Sequence, residues 1–120
     1  MKRSIIVTLI TLFYGSLAIA NIMPKTKQEI AHLLNYVKKT SCKYERNGKI
    51  FTGTQAAEHI QNKYNHFKSK IRITEDFIRY SATKSTLSGK FYHVHCQGEI
   101  VKNSAFWLQQ ELNNYRHNTH

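Results

Sequence analysis

The two cysteines, Cys42 and Cys96, place the strongest limit on how this chain of 120 residues can fold. In an oxidising compartment they allow one intramolecular pairing, which would tie an early segment of the chain to a late one. Closing a loop of that length would stabilise the folded state by about 4 kcal/mol, because the crosslink removes entropy from the unfolded chain. We therefore expect one disulfide; two buried thiols or a bridge between two molecules are the alternatives.

The N-terminal segment predicts that the cysteines reach an oxidising compartment. A positive head at residues 2–3 precedes an apolar run at residues 5–14, and small residues follow as far as Ala20. This is the pattern of a secretory signal peptide, so we expect residues 1–20 to be removed by cleavage between Ala20 and Asn21. A retained membrane anchor is disfavoured, because the apolar run is shorter than the roughly 20 residues that a spanning helix needs.

The chain is strongly basic, with 18 lysines and arginines, seven acidic residues and a net charge of +11 at pH 7. Loss of Lys2 and Arg3 with the leader would leave 16 basic and seven acidic residues, a net charge of +9. Such a charge attracts anionic surfaces, including phosphate-rich lipids, cell-wall polymers and nucleic acid. It also favours solubility, which is the simpler explanation.

Hydrophobic periodicity predicts two helices in the first part of the mature chain. The first begins at a capping box formed by Thr26-Lys27-Gln28-Glu29 and ends near Lys39. The second begins at a Thr54 cap, and its apolar residues recur at helical spacing as far as Ile71.

Two further helices are predicted in the second part of the chain. The third opens at Thr74, and the acidic side chains of residues 75–76 lie in its first turn, where the helix dipole favours negative charge. The fourth is capped by Asn103 or Ser104, and its end is expected to fray from Arg116 onward.

Strand signals occur at two places. Residues 42–52 are rich in β-formers around Asn47-Gly48, a pair that tolerates the positive φ angles of a type I′ turn, so a tight hairpin is predicted. Residues 91–96 alternate, with Tyr92, Val94 and Cys96 on one face of a late strand. The sequence therefore predicts a single α+β domain over residues 21–120, with four helices and a small antiparallel sheet made of the hairpin and one late strand.

Two histidines on one face of the late strand, His93 and His95, are the smallest set that a zinc or copper site could use. His59 or His66 would have to supply a further ligand, and no carboxylate follows at a diagnostic spacing. We therefore predict no metal and no other cofactor.

Catalytic patterns are incomplete. Ser81 and Lys84 have the Ser-x-x-Lys spacing of penicillin-binding enzymes, but the further motifs of those enzymes are missing. The carboxylates are scattered, and a cysteine in a disulfide offers no thiolate, so we assign no catalytic residue. Aromatic residues among basic ones could stack on bases, but they fall on helical apolar stripes, so nucleic acid is not an expected partner.

Several short stretches span nearly the whole expected mature chain. They are Cys42-x-Tyr44-x-Arg46-Asn47-Gly48, Ala57-x-His59-Ile60-x-x-Lys63, Phe77-Ile78, Ser85-Thr86-x-Ser88-Gly89-Lys90-x-Tyr92 and Trp107-Leu108. In this order and spacing they resemble the YfeK-like family of small bacterial periplasmic proteins, a family of unknown function (DUF5329). The resemblance implies an exported α+β protein of the periplasm, and it implies no activity, cofactor or catalytic residue.

The resemblance also points to the places where polar residues recur in the family pattern. We hypothesise that they gather near one surface site as binding residues: Arg46, Asn47, His59, Lys63, Ser88 and Lys90. In the alternative, the same residues are structural, with Asn47-Gly48 making a turn, Gly89 ending a loop and His59 capping or bridging through a hydrogen bond.

The predicted function is that of a periplasmic binding or interaction module whose basic surface engages an anionic envelope component or an acidic protein. The alternative is a small envelope enzyme with an unrecognised site. An enzyme should have a concave pocket with converging polar groups and perturbed titration, whereas a binding module should present a flatter basic face.

Overall fold

The structure is a computed structural model that describes residues 22–119. The predicted signal peptide at residues 1–20 and its cleavage point between Ala20 and Asn21 lie outside the described residues. The elements follow in the order α1 (Pro24–Lys39), β1 (Lys43–Arg46), β2 (Lys49–Phe51), α2 (Gly53–Phe67), α3 (Thr74–Ser81), β3 (His93–His95), β4 (Lys102–Asn103) and α4 (Ser104–Asn118). No helix in this part of the chain is long and apolar enough to span a membrane.

The four strands form one antiparallel sheet in the order β2-β1-β3-β4, which confirms the predicted α+β class. The predicted hairpin is confirmed, because Asn47 and Gly48 have φ angles of 52° and 75° in the turn between β1 and β2. The late strand is also confirmed, although its ladder covers only His93–His95. Strand β4 was not predicted, because a strand of two residues is too short for an alternating pattern to reveal it.

A disulfide joins Cys42, just before β1, to Cys96, just after β3, with the two Cα atoms 4.4 Å apart. This confirms the predicted pairing. The bond closes the end of a ladder in which Tyr44 lies opposite Val94. It therefore holds together two neighbouring strands that are far apart in the sequence.

Helices α2 and α4 contact the sheet, and α1 and α3 pack against these two helices. The side chains of Tyr44, Tyr92 and Val94 are buried on the face of the sheet that joins this core. Every helix contributes to the same core, with the fully buried side chains of Leu33, Ile60, Phe77 and Leu108 as examples. The other face of the sheet carries Glu45, His93 and His95 together with the exposed side chains of Ile50 and Phe91. The alternation predicted for the late strand is thus confirmed.

Helix α1 begins at Pro24 rather than at a capping box. Its N-cap residue is Met23, which makes no side-chain capping bond, and proline is favoured at the first helical position because its fixed φ suits the helix. Thr26 and Glu29 are buried instead of reaching back to the first turn. The predicted capping box is therefore wrong, and Glu29 has a different role, described below.

Helix α2 begins two residues earlier than predicted. Thr52, not Thr54, is the N-cap: its hydroxyl accepts from the backbone amide of Gln55 at 3.2 Å, and the side-chain Oε1 of Gln55 accepts from the backbone amide of Thr52 at 3.0 Å. The next residue is Gly53, where a Cβ atom would collide with the carbonyl oxygen of Val37. The close approach of α1 and α2 therefore requires glycine there.

The other end of α2 also differs from the prediction. The α-helix ends at Phe67, and a short 3₁₀ helix at Lys68–Lys70 follows. Ile71 is extended, yet it is fully buried in the core. The apolar spacing correctly predicted that Ile71 is buried, but the prediction that Ile71 belongs to the helix is wrong.

The predicted fraying from Arg116 onward is wrong, because α4 continues to Asn118 and Arg116 is held by two carboxylates. Its Nε donates to Glu29 at 2.8 Å, and its Nη1 donates to Glu75 at 2.7 Å. Helix α3 begins at Thr74 as predicted, with Ile73 as its N-cap residue, and the Thr74 hydroxyl donates to Glu29 at 2.6 Å. This cluster ties together α1, α3 and α4.

Candidate functional site

A network of hydrogen-bonded polar side chains connects the end of β1, the middle of α2 and the residue before β3. Arg46 Nη1 lies 2.6 Å from Nδ1 and 2.8 Å from Nε2 of His59. The His59 Nε2 atom lies 3.1 Å from the hydroxyl of Tyr92. Lys63, one helical turn after His59, donates to the same hydroxyl at 3.2 Å and to the carbonyl oxygen of Lys84 at 2.7 Å. Each of these side chains except that of Tyr92, which is buried, is partly exposed.

The donor groups fix the direction of two of these hydrogen bonds. Guanidinium and ammonium groups only donate, so Arg46 donates to His59 and Lys63 donates to Tyr92. Arg46 Nη1 lies within 2.8 Å of both ring nitrogens of His59, so the distances fit either neutral tautomer. In one tautomer Nε2 donates to the Tyr92 hydroxyl, and in the other the Tyr92 hydroxyl donates to Nε2.

The Tyr92 hydroxyl is the centre of the network. Its oxygen lies 3.1 Å from His59 Nε2 and 3.2 Å from Lys63 Nζ. Burial raises the pKa of Tyr92, while the charge of Arg46 and a hydrogen bond from it act in the opposite direction. Two cations therefore converge on one buried hydroxyl.

Electrostatics keep the site positive and His59 neutral. Burial, followed by the charges of Arg46 and Lys63, lowers the pKa of His59 to about 4. Burial, together with the Arg46 charge, also lowers the pKa of Lys63. The ion pairs of the described residues involve neither Arg46 nor Lys63, so no carboxylate from this part of the chain neutralises the two cations at close range.

The network borders a small pocket of about 130 Å³. Arg46, His59 and Tyr92 form its polar side, and Lys63 lies next to it through the Tyr92 hydroxyl. The remaining lining residues are Tyr44, Phe51, Gln55, Ala56, Glu58 and Ile60. The guanidinium carbon of Arg46 lies 4.8 Å from the centre of the Phe51 ring, a cation–π contact that positions the cation at the pocket wall.

The loop at residues 85–90 joins the hairpin turn beside this pocket. The Asn47 amide donates to Ser85 Oγ at 3.3 Å, and Ser88 Oγ donates to Asn47 Oδ1. The amide of Lys90 donates to Ser88 Oγ at 3.2 Å, whereas the Lys90 side chain is exposed. These bonds fix the shape of the loop, which agrees with the structural alternative for Asn47 and Ser88.

The six residues expected at one site therefore divide into three groups. The network at the pocket contains Arg46, His59 and Lys63. The adjoining contact between the hairpin turn and the loop is formed by Asn47 and Ser88. The side chain of Lys90 takes part in neither.

Sequence reasoning missed Tyr92 and Phe51 as site residues. Tyr92 belongs to one of the stretches that carry the family resemblance, but strand alternation indicated only that it points inward. Its hydroxyl reaches the polar network because the ring extends across the core to α2, and Phe51 reaches Arg46 across the hairpin. Neither distance is encoded in a local pattern.

The two strand histidines lie away from the pocket, on the opposite face of the sheet. His95 Nε2 lies 2.9 Å from Glu45 Oε1, and His93 Nδ1 lies 3.5 Å from Glu45 Oε2. His59 lies on α2, on the buried side of the sheet, so it cannot act as a further metal ligand with His93 and His95. In the part of the chain that the structure describes, no group of three or more histidine, cysteine or acidic side chains is arranged to hold a metal ion.

The titration of His59 tests the electrostatics of the site. We expect its ring to titrate near pH 4 by NMR, far below an ordinary histidine, and Arg46→Ala to raise this midpoint part of the way toward 6.5. Because the unfolded chain binds the proton more readily, stability is fully present above pH 6.5 and is lost as the pH falls toward 4. Arg79→Ala, outside the pocket, should leave the midpoint unchanged, and an ordinary midpoint in the wild-type protein would contradict this description.

A family model matches residues 24–116, described as a family of unknown function (DUF5329). Comparison with curated proteins found no match, and comparison with solved structures also found none. The matched residues extend from the start of α1 to the arginine in the last turn of α4, and they include the pocket. The chain belongs to the family of unknown function DUF5329.

Proposed function

We propose that this protein is an exported, YfeK-like binding module of the bacterial periplasm, and that it holds an anionic group of its ligand in the pocket of Arg46, His59 and Tyr92. The observation that carries the proposal is the convergence of two partly buried cations, Arg46 and Lys63, on one network that no carboxylate of the described residues pairs with. An anion entering the pocket would pair with these cations.

The charges around the pocket support the same conclusion. Arg46 and Lys63 are both partly buried and have no carboxylate partner in the described part of the chain, so the network carries uncompensated positive charge. Hydrogen bonds between a cation and an anion are roughly twice as strong as neutral ones. Glu58 also lines the pocket, but its side chain is exposed to water, which weakens its opposition to an anion.

The shape of the site also bears on the alternative that the protein is an enzyme. A concave pocket and a shifted histidine were the features expected of an enzyme rather than of a flat binding face. However, a histidine with a pKa of about 4 is a poor base near neutral pH, where efficient general bases titrate. Burial raises the pKa of Tyr92, which makes its hydroxyl a poor nucleophile. The chemistry of the pocket therefore favours binding over catalysis.

A crosslinking pull-down from intact bacterial envelope would test the proposal. We expect the wild-type protein to capture a saturable partner, either an anionic envelope component or an acidic protein, and the yield to fall as salt rises. Arg46→Ala should lose most of this capture, because it removes the pocket cation. The intact mass of the recovered bait should correspond to a chain that begins at Asn21.

The matched control is Arg79→Ala, which removes an equal charge from an exposed position outside the pocket. If Arg79→Ala reduces capture as strongly as Arg46→Ala does, the protein binds through its overall charge and the pocket proposal is wrong. A bait that retains residues 1–20 would contradict the proposed export.

A further inference from the structure

The pocket combines a cation with apolar walls, and this combination defines a class of ligand. We infer that the pocket takes a carboxylate attached to a small aliphatic group, as at a free branched-chain amino acid or at the C-terminus of a peptide. This inference rests on the proposed function, because it specifies which anion the pocket holds. It is argued from the free donors, the apolar lining and the volume of the pocket.

The free donors match a planar anion. His59 contacts Nη1 of Arg46, and none of the ion pairs of the described residues uses the Arg46 guanidinium. Two parallel N–H groups on one edge of a guanidinium bind a carboxylate in a bidentate manner.

The remaining walls favour an aliphatic group beside the carboxylate. Phe51, Ala56 and Ile60 line the pocket together with Arg46. A hydrated phosphate would leave these apolar surfaces in contact with water, whereas an aliphatic side chain would cover them. Each methylene group that becomes buried strengthens binding by a factor of about four.

The volume limits the size of that group. The pocket measures about 130 Å³. A cavity of about 150 Å³ accommodates a molecule of the size of benzene, so this pocket has room for a short branched chain. The exposed carboxylate of Glu58 also lines the pocket, where it could pair with the ammonium group of a free amino acid and would repel a dianion.

A series of small probes tests the inference on the wild-type protein without any substitution. Acetate, isovalerate, valine, N-acetylvaline and inorganic phosphate would each be titrated at constant ionic strength, with the NMR signals of His59 and Phe51 as reporters. We expect isovalerate to bind at least about tenfold more tightly than acetate, which carries the same charge without the branched chain. We also expect valine or N-acetylvaline to bind more tightly than phosphate.

The two amino-acid probes distinguish the sources of the ligand. Tighter binding of N-acetylvaline would indicate a peptide C-terminus, because its amide resembles the preceding peptide bond. Tighter binding of valine would indicate a free amino acid, and Glu58→Gln should then weaken valine binding and leave N-acetylvaline binding unchanged. Either result supports the carboxylate pocket.

Two variants test how the pocket recognises the ligand. Arg46→Lys keeps the charge but loses the planar pair of donors, so valine binding should weaken at least about tenfold. Ala56→Leu fills the apolar part and should abolish the preference for isovalerate over acetate. Arg79→Ala is the matched control and should change neither, and thermal unfolding would show whether each variant is folded.

The outcomes separate this inference from the proposed function. Equal binding of acetate and isovalerate, or tighter binding of phosphate than of every carboxylate, would overturn the inference and leave an anion pocket in place. The absence of a response to all five probes at His59 and Phe51 would overturn the anion pocket as well.

Discussion

Replacement of both cysteines, Cys42→Ser together with Cys96→Ser, is expected to lower the free energy of unfolding by about 4 kcal/mol. The disulfide closes a loop with a sequence separation of 54 residues, and removing it returns that conformational entropy to the unfolded chain. A domain of this size typically has about 5–15 kcal/mol of stability in total. The double variant should therefore be close to its unfolding threshold.

The effect should also appear at the site, because the disulfide holds β1 beside β3. Arg46 ends β1 and Tyr92 directly precedes β3, so a looser ladder would separate the two sides of the pocket. Urea unfolding at pH 7 measures the change in stability. The matched control is the wild-type protein in reductant, which should lose a similar amount; a loss below about 1 kcal/mol in both samples would show that the crosslink is not a major stabilising feature.

The second large effect is expected from Arg116→Ala, which should destabilise the fold by about 3 kcal/mol at pH 7. The substitution leaves Glu29, whose side chain is 4% exposed, without its charged partner in the interior. Breaking a buried pair in this way costs about 3–5 kcal/mol, and the lower end applies because Arg116 itself is partly exposed. Arg79→Ala is the matched control: its pair with Asp76 is at the surface, so the change should stay below about 1 kcal/mol.

The pH dependence of the same variant gives an independent check. Hydrogen bonds from Arg116 lower the pKa values of Glu29 and Glu75 below the ordinary value of 4.5. Their stabilisation is therefore fully present above pH 4.5 and is lost as the pH falls through the lowered values in the folded state. We expect the stability difference between wild-type protein and Arg116→Ala to shrink as the pH falls from 5 toward 3. A difference that stays constant over this range would contradict the proposed role of the cluster.

Local patterns predicted the parts of the fold that depend on a few neighbouring residues. Asn47-Gly48 predicted the hairpin turn because few residue pairs tolerate two consecutive positive φ angles. The alternation around Val94 predicted which side of β3 is buried, because successive side chains of a strand point to opposite faces. The disulfide followed from the expectation of export and from the presence of only two cysteines.

The errors arose where tertiary contacts competed with local ones. The capping box predicted at Thr26-Lys27-Gln28-Glu29 does not form, because Glu29 accepts hydrogen bonds from Thr74 and Arg116 across the interior. The end of α4 does not fray at Arg116 for the same reason, since two carboxylates from other helices hold it. A pattern of four residues contains no information about such partners.

The candidate site shows the same division. The resemblance drew attention to Arg46, His59 and Lys63, and the structure places all three in one network. It could not indicate that Tyr92 connects His59 to Lys63, or that Phe51 lies against Arg46. The side chain of Lys90 shows the reverse case, because it belongs to the pattern yet stays exposed and outside the network.

The sequence by itself determined the α+β class, the hairpin, the disulfide pairing and the basic character of the chain, because these depend on composition, spacing and short-range backbone preferences. The tertiary structure alone decided which charges are neutralised and which remain without a partner. Arg116 lies between two carboxylates, whereas Arg46 and Lys63 converge on a neutral histidine and a tyrosine hydroxyl. The physical reason is that hydrogen bonds and charge pairs act over a few ångströms, and only the packing of the helices on the sheet brings these distant residues within that range.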